Sequence, residues 1–237
     1  MRDNLRNFLE VKNATNTSAD LYFYGDIVSS WLGAWDDTDQ YPDSVKNFLD
    51  EHKGKDLNIY VNSNGGSVFA GIAIYNMLKR HNGHKTVYID GLAASISSVI
   101  ALVGDEVVCP SNAYIMIHEP WSCVQGNSTE MRKAADLLDN IRETIINIYE
   151  ENLNEGIDIE EVKEMVQAET WLNGVESVKY FKNVTLTDEV NMVACASELY
   201  DKYNKVPENI LNKEASEEVE EKINLDYYKA KLKMYEM

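Results

Sequence analysis

The sequence predicts an α/β fold, because short strand-like runs alternate with amphipathic helices along most of the chain. The order of strand, turn of small residues and helix occurs twice, once around Gly66 and once around Ser95. A much longer amphipathic helix follows these two units. The repeated order predicts that the two units lie side by side in one sheet.

The elements before the first turn are predicted from residue alternation and turn residues. The run "LYFYGDIVSS" is a strand candidate, and the aromatic loop "WLGAWDDTDQYP" follows it. "SVKNFLDEH" has the apolar spacing of a short amphipathic helix. "DLNIYVNS" alternates as a strand does and ends in "NGG", so the chain enters the first turn from a strand.

The helix of the first unit is predicted over "VFAGIAIYNMLKRH", where apolar residues recur at helical spacing: Val68, Ile72, Tyr75 and Leu78. In the second unit, "KTVYID" predicts a strand and Ile96 to Val103 predicts an apolar helix. About 29 residues separate Gly66 from Ser95, so the two units have similar lengths.

Further strands and helices are predicted after the second unit. "EVVCP" and "AYIMIHEP" are strand candidates, and a helix from Asn127 to about Leu153 begins at the start signal Ser128–Glu130. A helix over Asp158–Gln167 leads into "AETWLNGVESVKYF". The long helix carries an apolar stripe formed by Met131, Ala134, Leu138, Ile141, Ile145 and Ile148.

The chain divides by composition into an N-terminal segment (1–18), a main domain (19–197) and a C-terminal extension (198–237). The extension is acidic first and then rich in lysine, and Val219, Ile223 and Tyr227 have helical spacing. We therefore expect a charged helical extension, either solvated or binding a partner.

The composition of the 237 residues predicts a soluble globular protein, since no apolar run approaches the roughly 18 residues of a membrane span. The N-terminus lacks the continuous apolar segment of a secretory signal. The odd number of cysteines (Cys109, Cys123, Cys195) fits a reducing compartment. We expect a cytoplasmic protein without a membrane partner.

The net charge of −18 argues against a nucleic-acid partner, because phosphate binding needs clustered lysine and arginine. Such acidity needs no partner to explain it, because a high net charge keeps a protein soluble. The charge therefore excludes a class of partner without indicating a function.

Ser95 lies where a predicted strand turns into a predicted apolar helix, in "GLAASISSVI". A hydroxyl at a helix start meets free backbone N–H groups and the positive end of the helix dipole. Serine is also a preferred N-cap residue. Ser95 is thus either a helix cap or a nucleophile at an anion site.

A serine nucleophile needs a base, and the chain has four histidines. His52 falls in a polar helix–loop stretch. His81 and His84 fall in a loop without an accompanying ligand cluster, so no metal or other cofactor is predicted. His118 closes an apolar strand and is either a core residue or the base for Ser95.

The turn "NSNGG" supplies a third element of a candidate site. Glycines such as Gly65 and Gly66 adopt backbone angles closed to other residues and let N–H groups approach a ligand. If the two units lie side by side, a glycine N–H and the N–H after Ser95 converge beside its hydroxyl. Such a pair is an oxyanion hole.

Three ordered segments resemble the ClpP serine peptidase family. "NSNGGSVFAGIAIYNML" is similar to its Asn-Ser-Pro-Gly-Gly segment and following helix, and "GLAASISSVIALV" to its Gly-x-Ala-Ala-Ser nucleophile segment. "PSNAYIMIHEP" is similar to the segment that ends in the base histidine. The resemblance covers residues 21–195. It implies the ClpP/crotonase-like spiral of repeated ββα units with a long protruding helix.

The resemblance implies a role for each matching residue. Ser95 is the expected nucleophile, His118 the general base, and Gly66 and Ile96 the oxyanion-hole N–H donors. Ser97 and Ser98 are expected to be small packing residues of the helix.

The third triad residue is predicted from context. Glu169, in "QAETWLNGVESVKYF", takes the place of the family's aspartate, and its extra methylene requires a different backbone offset. Asp158 and Glu164 are the alternatives.

Departures from the family pattern resemble the branch encoded in phages and prophages. These are the N-terminal segment, the loop "SSWLGAWDD", "ETW" and the charged tail, while Asn64 replaces the usual proline. That resemblance implies an ATP-independent endopeptidase for capsid maturation, cleaving capsid or scaffold proteins. The resemblance to the ClpP family as a whole implies a homo-oligomer of two stacked heptameric rings, a tetradecamer, joined through the long helix and a strand over about Trp121–Gly126.

Three other functions compete with this prediction. One is a housekeeping degradative peptidase fed by an AAA+ unfoldase. A crotonase-type acyl-CoA enzyme is disfavoured, since it needs neither a serine at 95 nor a histidine at 118. A non-catalytic structural subunit is expected to lack one of those two residues, and both are present.

Overall fold

The computed structural model describes residues 17–34, 38–189 and 203–207. The N-terminal segment predicted for residues 1–18 lies outside this part except for its last two residues. The predicted C-terminal extension lies outside it except for residues 203–207.

The described residues form seven strands and six α-helices, which confirms the predicted α/β class. A short 3₁₀ turn, Trp31–Gly33, lies in the aromatic loop. In chain order the elements are β1 (Ser18–Phe23), α1 (Pro42–Glu51), β2 (Asp56–Ser63), α2 (Val68–Lys79), β3 (Lys85–Ala94), α3 (Ile96–Ala101), β4 (Glu106–Pro110), β5 (Tyr114–Ile117), α4 (Ser128–Glu151), α5 (Ile159–Gln167), β6 (Thr170–Asn173), α6 (Gly174–Tyr180) and β7 (Val184–Thr187).

The strands form one sheet that branches at β3. The main path runs β1-β2-β3-β4-β7, and each of these pairs is parallel. Residues 86–88 of β3 pair with β4, whereas residues 92–94 pair in parallel with β5. β5 in turn pairs antiparallel with β6. The branch brings the ends of β3 and β5 together at one edge, where the candidate residues of both strands follow.

The core lies between the sheet and the helices packed on it. Inward-facing residues of β2 such as Leu57, Ile59 and Val61 are buried, as their alternation predicts. Every residue of α3 is buried, so this helix forms the centre of the molecule. The second predicted unit is therefore held more tightly than an exposed turn would be.

Two predicted bounds change in the second unit. β3 continues through Gly91–Ala94, beyond the predicted "KTVYID", because Leu92, Ala93 and Ala94 pair with β5. The helix predicted from Ile96 to Val103 ends at Ala101. Strand β7 alternates over only four residues, Val184–Thr187, and was not predicted.

The long helix α4 has two different halves. Its start is capped by Asn127, whose side chain accepts from the Thr129 and Glu130 N–H groups. The second half is buried through Ile141, Ile145, Ile146 and Tyr149. In the first half Met131 is 51% exposed, and Ala134 and Leu138 are only partly buried, so the predicted apolar stripe is only partly covered by this chain. Leu137, outside the stripe, is also 51% exposed. None of the described helices is both long and apolar enough to cross a bilayer.

The segment before α4 differs from its prediction. Residues 121–126 were expected to form a strand, and the structure places no strand there. All six residues are exposed, Trp121 by 53%. The prediction is wrong for the single chain, because a strand needs a pairing neighbour and the sheet edge does not extend to this segment.

Candidate active site

Ser95 occupies the junction between β3 and α3 with an unusual backbone. Its φ of 55° lies in the left-handed region, which side chains other than glycine rarely adopt. Its N–H donates to the Met116 carbonyl of β5 over 2.9 Å, which fixes the turn against the neighbouring strand. Strain of this kind in a non-glycine residue is typical of functional sites.

The side chain of Ser95 does not cap the helix that it precedes. Ser95 stands at the N-cap position of α3, yet its hydroxyl makes no capping hydrogen bond. Its Oγ instead lies 2.6 Å from Nε2 of His118. Of the two interpretations left open by the sequence, the helix cap is therefore excluded by geometry.

His118 reaches Ser95 because of strand register. Ala94 pairs with Met116, so Ser95 and His118 follow the ends of neighbouring parallel strands. With the imidazole neutral and Nε2 unprotonated, the Ser95 hydroxyl donates to it. This is the contact a general base needs in order to remove the hydroxyl proton.

The surroundings of His118 favour its neutral form. Burial lowers its pKa below the ordinary histidine range, and the negative charges of Glu169 and Glu119 oppose this effect in part. Glu119 also pairs with Arg142 of α4 over 3.1 Å. Burial therefore favours the neutral imidazole, which is the form that can accept a proton from Ser95.

The first turn packs its glycines directly against this junction. A Cβ on Gly65 would lie 2.7 Å from the Ala94 carbonyl oxygen and 2.9 Å from Ser95 Cβ. A Cβ on Gly66 would lie 2.2 Å from the Ile27 carbonyl oxygen. Both residues also have positive φ, so only glycine fits the two positions.

Two backbone N–H groups near Ser95 belong to Gly66 and Ile96. The bridge between Ile27 and the first turn uses the Gly65 carbonyl and the Ser67 N–H, which leaves the Gly66 N–H outside that bridge. Ile96 is the first residue of α3, and the N–H groups of a first helical turn have no acceptor within the helix. Both groups are of the kind that can bind an oxyanion.

Ser97 and Ser98 have packing roles, as predicted. Both are fully buried. The Ser97 hydroxyl lies 2.8 Å from the Ser63 carbonyl and 2.7 Å from the Ala94 carbonyl, so it contacts the ends of β2 and β3. Ser98 Oγ donates to the Ser95 carbonyl over 2.6 Å. These contacts hold the two turns in register.

Glu169 lies next to His118, but its hydrogen bonds go elsewhere. Its oxygens accept from the backbone N–H groups of Asn204 and Lys205, from the Asn204 side chain and from Trp171 Nε1. Burial raises the pKa of Glu169, and these hydrogen bonds outweigh it and lower the pKa below its ordinary value. Within the described part of the chain, no hydrogen bond joins Glu169 to His118.

The two alternative carboxylates occupy the outer helix α5. Asp158 is the N-cap of this helix and accepts from the Glu160 N–H over 3.0 Å. Glu164 is exposed on its surface. Glu169 is the one of the three candidates whose charge acts on His118.

The remaining histidines lie away from the site. His52 is buried against Phe48 rather than in a polar loop as expected, and its Nδ1 lies 2.8 Å from the Phe48 carbonyl. His81 lies 2.6 Å from the Lys55 carbonyl, and His84 is exposed near Asp105.

A cleft opens beside Ser95 and includes a residue that the sequence analysis missed. Tyr203 lies in the predicted extension, yet its ring meets His118 edge to face at 5.3 Å. The one sequence signal that these residues are not part of a helical extension is Pro207, because a proline disfavours helix in the residue before it. The cleft is lined by Gly66, Val68, Ser95, His118, Pro120, Trp121 and Tyr203.

A serine and a histidine in direct contact at the ends of two parallel strands, next to backbone N–H groups suited to an oxyanion, are the arrangement of a serine hydrolase. The Clp protease family matches residues 44–190, which is more than half of the chain. The chain belongs to this family, and it is a ClpP-like serine peptidase.

Two relatives illustrate the similarity. The chain is 36% identical over 137 residues to the ATP-dependent Clp protease proteolytic subunit of Ligilactobacillus salivarius (strain UCC118), covering 56% of this chain and 68% of that protein. It is 29% identical over 130 residues to the protein of the same name from Porphyromonas gingivalis (strain ATCC BAA-308 / W83). That match covers 54% of this chain and 57% of the relative, so it spans little more than half of the relative's length.

These matches confirm the predicted family and the predicted enzyme class. The assignment to a phage or prophage branch stays a prediction, as does the cytoplasmic location.

Proposed function

We propose that the chain is an endopeptidase in which Ser95 is the nucleophile and His118 the general base. The observation that carries this proposal is the 2.6 Å contact between Ser95 Oγ and His118 Nε2 at a strained strand-to-helix turn. The family assignment supports the peptide bond as the bond that is cleaved.

Each step of the proposed reaction uses these two side chains. Ser95 Oγ attacks the carbonyl carbon of the peptide while its proton passes to His118 Nε2. The C–N bond then breaks, and His118 returns the proton to the departing amine. Water attacks the resulting ester, again losing a proton to His118, and the released Ser95 regains its hydroxyl proton.

The negative oxygen that develops in each step needs donors. The N–H groups of Gly66 and Ile96 are the proposed donors, because the first lies outside the bridge to Ile27 and the second starts a helix. Loss of one such donor typically slows the reaction by about 10²–10³.

Glu169 is the proposed third member of the catalytic group, and its charge supports this role. A negative charge next to His118 stabilises the imidazolium formed when Ser95 is deprotonated. Glu169→Gln removes that charge and should lower the rate of hydrolysis by orders of magnitude without changing the assembly. The matched control is Glu164→Gln on the exposed face of α5, and a normal rate in Glu169→Gln would assign the role elsewhere.

The direct test of the proposed function is covalent labelling. Incubation with a fluorophosphonate, followed by peptide mapping, should place the label on Ser95 in a stoichiometric amount. A label on another residue, or none under conditions where the protein is folded, would refute the proposed function.

We propose further that the chain forms a homo-oligomer of stacked heptameric rings. The first half of α4 and the segment before it expose four large apolar side chains, Trp121, Val124, Met131 and Leu137, and such groups of exposed apolar residues mark interaction surfaces. A charge placed there should dissociate the assembly. We expect Val124→Glu to reduce the mass in light scattering, whereas Val175→Glu, an equally exposed valine on α6, should not. A monomeric wild type at micromolar concentration would contradict the proposal.

For the substrate we propose phage capsid or scaffold proteins, cleaved without an ATP-driven unfoldase. The charged sequence after Pro207 supports a docking segment. A second candidate, a degradative peptidase fed by an unfoldase, is favoured by the names of both relatives.

Co-expression with phage capsid and scaffold proteins encoded next to this chain distinguishes these two candidates. Wild type, Ser95→Ala and a truncation after Pro207 should be compared, because this truncation keeps residues 203–207 against the site. Clipping of a head protein that depends on Ser95 and on the tail supports the first candidate. Cleavage only in the presence of an added unfoldase supports the second.

A further inference from the structure

Tyr203 contacts two aromatic side chains at the centre of the proposed site. Its ring lies edge to face with the imidazole of His118, with 5.3 Å between centroids and an angle of 90°. It makes a second edge-to-face contact with Trp171 at 5.8 Å. Trp171 belongs to β6, which pairs with β5, the strand that His118 directly follows. The Tyr203 ring thus fills the space between the general base and its supporting sheet.

The hydroxyl of Tyr203 reaches the other side of the site. It donates to the carbonyl of Asn64, the residue before Gly65 and Gly66. The orientation of that peptide unit helps to fix the turn whose Gly66 N–H is a proposed oxyanion donor. One side chain therefore contacts both the base and the glycine turn.

The residues after Tyr203 are fixed by Glu169. The Asn204 N–H lies 2.8 Å from Glu169 Oε1 and 3.0 Å from Oε2, and the Lys205 N–H lies 2.8 Å from Oε1. The Asn204 amide adds a bond of 3.1 Å to Oε2, and Lys205 Nζ donates to the Ala168 carbonyl. Two consecutive backbone N–H groups on one carboxylate fix the position of a segment that has no other regular structure.

These contacts occupy the hydrogen-bonding capacity of Glu169. A carboxylate has about four acceptor positions, and donors from Trp171, Asn204 and Lys205 fill them. Glu169 therefore has no position left for a hydrogen bond with His118 in this arrangement. Its influence on the imidazole runs through its charge and through the segment that it fixes.

We propose that Tyr203 is a positioning residue of the active site, anchored by Glu169, that orients His118 and the Asn64–Gly66 turn for attack by Ser95. This inference rests on the proposed function. It gives residues 203–205 a part in catalysis and gives Glu169 an anchoring role in addition to its charge.

The main test measures the rate of fluorophosphonate labelling and peptide hydrolysis in three variants of the full chain. Tyr203→Ala removes the ring and should slow both by about ten- to a hundredfold, as small misplacements of catalytic groups do. Tyr203→Phe keeps the ring and loses only the bond to Asn64, so it should fall between wild type and Tyr203→Ala. Tyr180→Phe is the matched control, since its hydroxyl makes an exposed bond to Glu161 away from the site.

The pH profile provides a readout that a purely structural role would not change. Tyr203 contributes to the burial of His118, while Glu119 and Glu169 supply the charges that face it. Removal of the ring lets water reach the imidazole, so the acidic limb of kcat/KM should move to higher pH in Tyr203→Ala. The expected loss lies in kcat rather than in KM, because the ring orients the base.

A double-mutant cycle tests the anchoring by Glu169. If Glu169 acts partly through Tyr203, the combined Glu169→Ala and Tyr203→Ala variant should lose less than the product of the two single losses. Losses that multiply would overturn the anchoring. Labelling of Tyr203→Ala at the wild-type rate would overturn the positioning role, and faster labelling would identify the segment as an inhibitor instead. A wild type without label at Ser95 would show that the proposed function itself has failed.

Discussion

Ser67 and Ser95 hold the same place in the two strand–turn–helix units, yet their surroundings differ. Each is the N-cap residue of the following helix, and neither side chain makes a capping hydrogen bond. Ser67 has an ordinary φ of −64° and contacts Ser29 at the surface. Ser95 has a φ of 55° and contacts His118.

The two turns differ in which residue has the positive φ, and therefore in which group each turn presents. In the first turn the positive φ values fall on Gly65 and Gly66, before the serine, so backbone N–H groups are presented. In the second turn the positive φ falls on the serine itself, and a hydroxyl is presented instead. Under the proposed mechanism, Ser95 keeps a side chain at a strained position because its hydroxyl reacts, whereas Gly65 and Gly66 have none because only their backbone groups are used.

The largest effect is expected from Ser95→Ala, with Ser67→Ala as the matched control. Ser95→Ala should abolish labelling and lower peptide hydrolysis by about a millionfold, as loss of the nucleophile does in serine peptidases. Ser67→Ala should leave both within a few-fold of wild type. Circular dichroism should show both variants folded, and sustained hydrolysis by Ser95→Ala would rule out the mechanism.

The second largest effect is expected from Gly66→Ala, compared with the same substitution at Gly54. Gly66→Ala places a methyl group 2.2 Å from the Ile27 carbonyl oxygen and displaces the N–H donor, so the rate should fall by about 10²–10³. Gly54→Ala is the control, since Gly54 also has positive φ but no atom lies within 4 Å of its added Cβ.

Active-site titration with the fluorophosphonate corrects this comparison for any unfolded fraction. Gly54→Ala should lose stability without losing rate per titrated site. A Gly66→Ala variant with an unchanged rate per site would exclude the Gly66 N–H as a donor.

The pH dependence of activity tests the environment of His118, the partner of Ser95 in the second turn. His118 must be neutral to accept the Ser95 proton, so activity is lost as the pH falls through the pKa of His118. Burial holds this pKa down against the charges of Glu169 and Glu119. The acidic limb of kcat/KM should therefore have its midpoint below about 6.5, the ordinary histidine value. Ser67→Ala should show the same limb, and a midpoint above that value would contradict the environment assigned to His118.

The smallest effect is expected at the contact between the two turns. Ser97→Ala removes the hydroxyl that contacts the Ser63 and Ala94 carbonyls, which should lower the free energy of unfolding by about 1–2 kcal/mol. Ser177→Ala, a buried serine that donates to the Leu172 carbonyl away from the site, should have a similar cost. Only Ser97→Ala should also reduce the rate, by a few-fold. Equal rates in the two variants would show that the turns do not depend on this hydroxyl.

Local sequence patterns predicted most of the elements, whereas the pairing of Ser95 with His118 was implied by the resemblance to the ClpP family. β2 and β4 occupy the predicted residues because alternation and flanking turn residues are local signals. The branch of the sheet at β3 was not predicted, because Leu92, Ala93 and Ala94 follow a glycine without apolar–polar alternation and their pairing with β5 is a non-local contact.

Local sequence patterns could not predict the position of Tyr203 either, because it also depends on contacts with residues distant in the chain. Residues 203–207 have neither helical nor strand periodicity, and they are fixed by hydrogen bonds with distant residues such as Asn64 and Glu169. Glu169 was identified from its place next to Trp171, but its hydrogen bonds depend on a segment about 35 residues further along the chain.

The pair of Arg142 and Glu119 has a consequence for how the enzyme responds to dilution. Arg142 belongs to the helix whose first half is exposed, and Glu119 directly follows His118 in the chain. The pair therefore links α4 to the residue beside His118. If subunits associate through α4, as proposed, we expect activity per subunit to fall on dilution below the concentration at which they assemble.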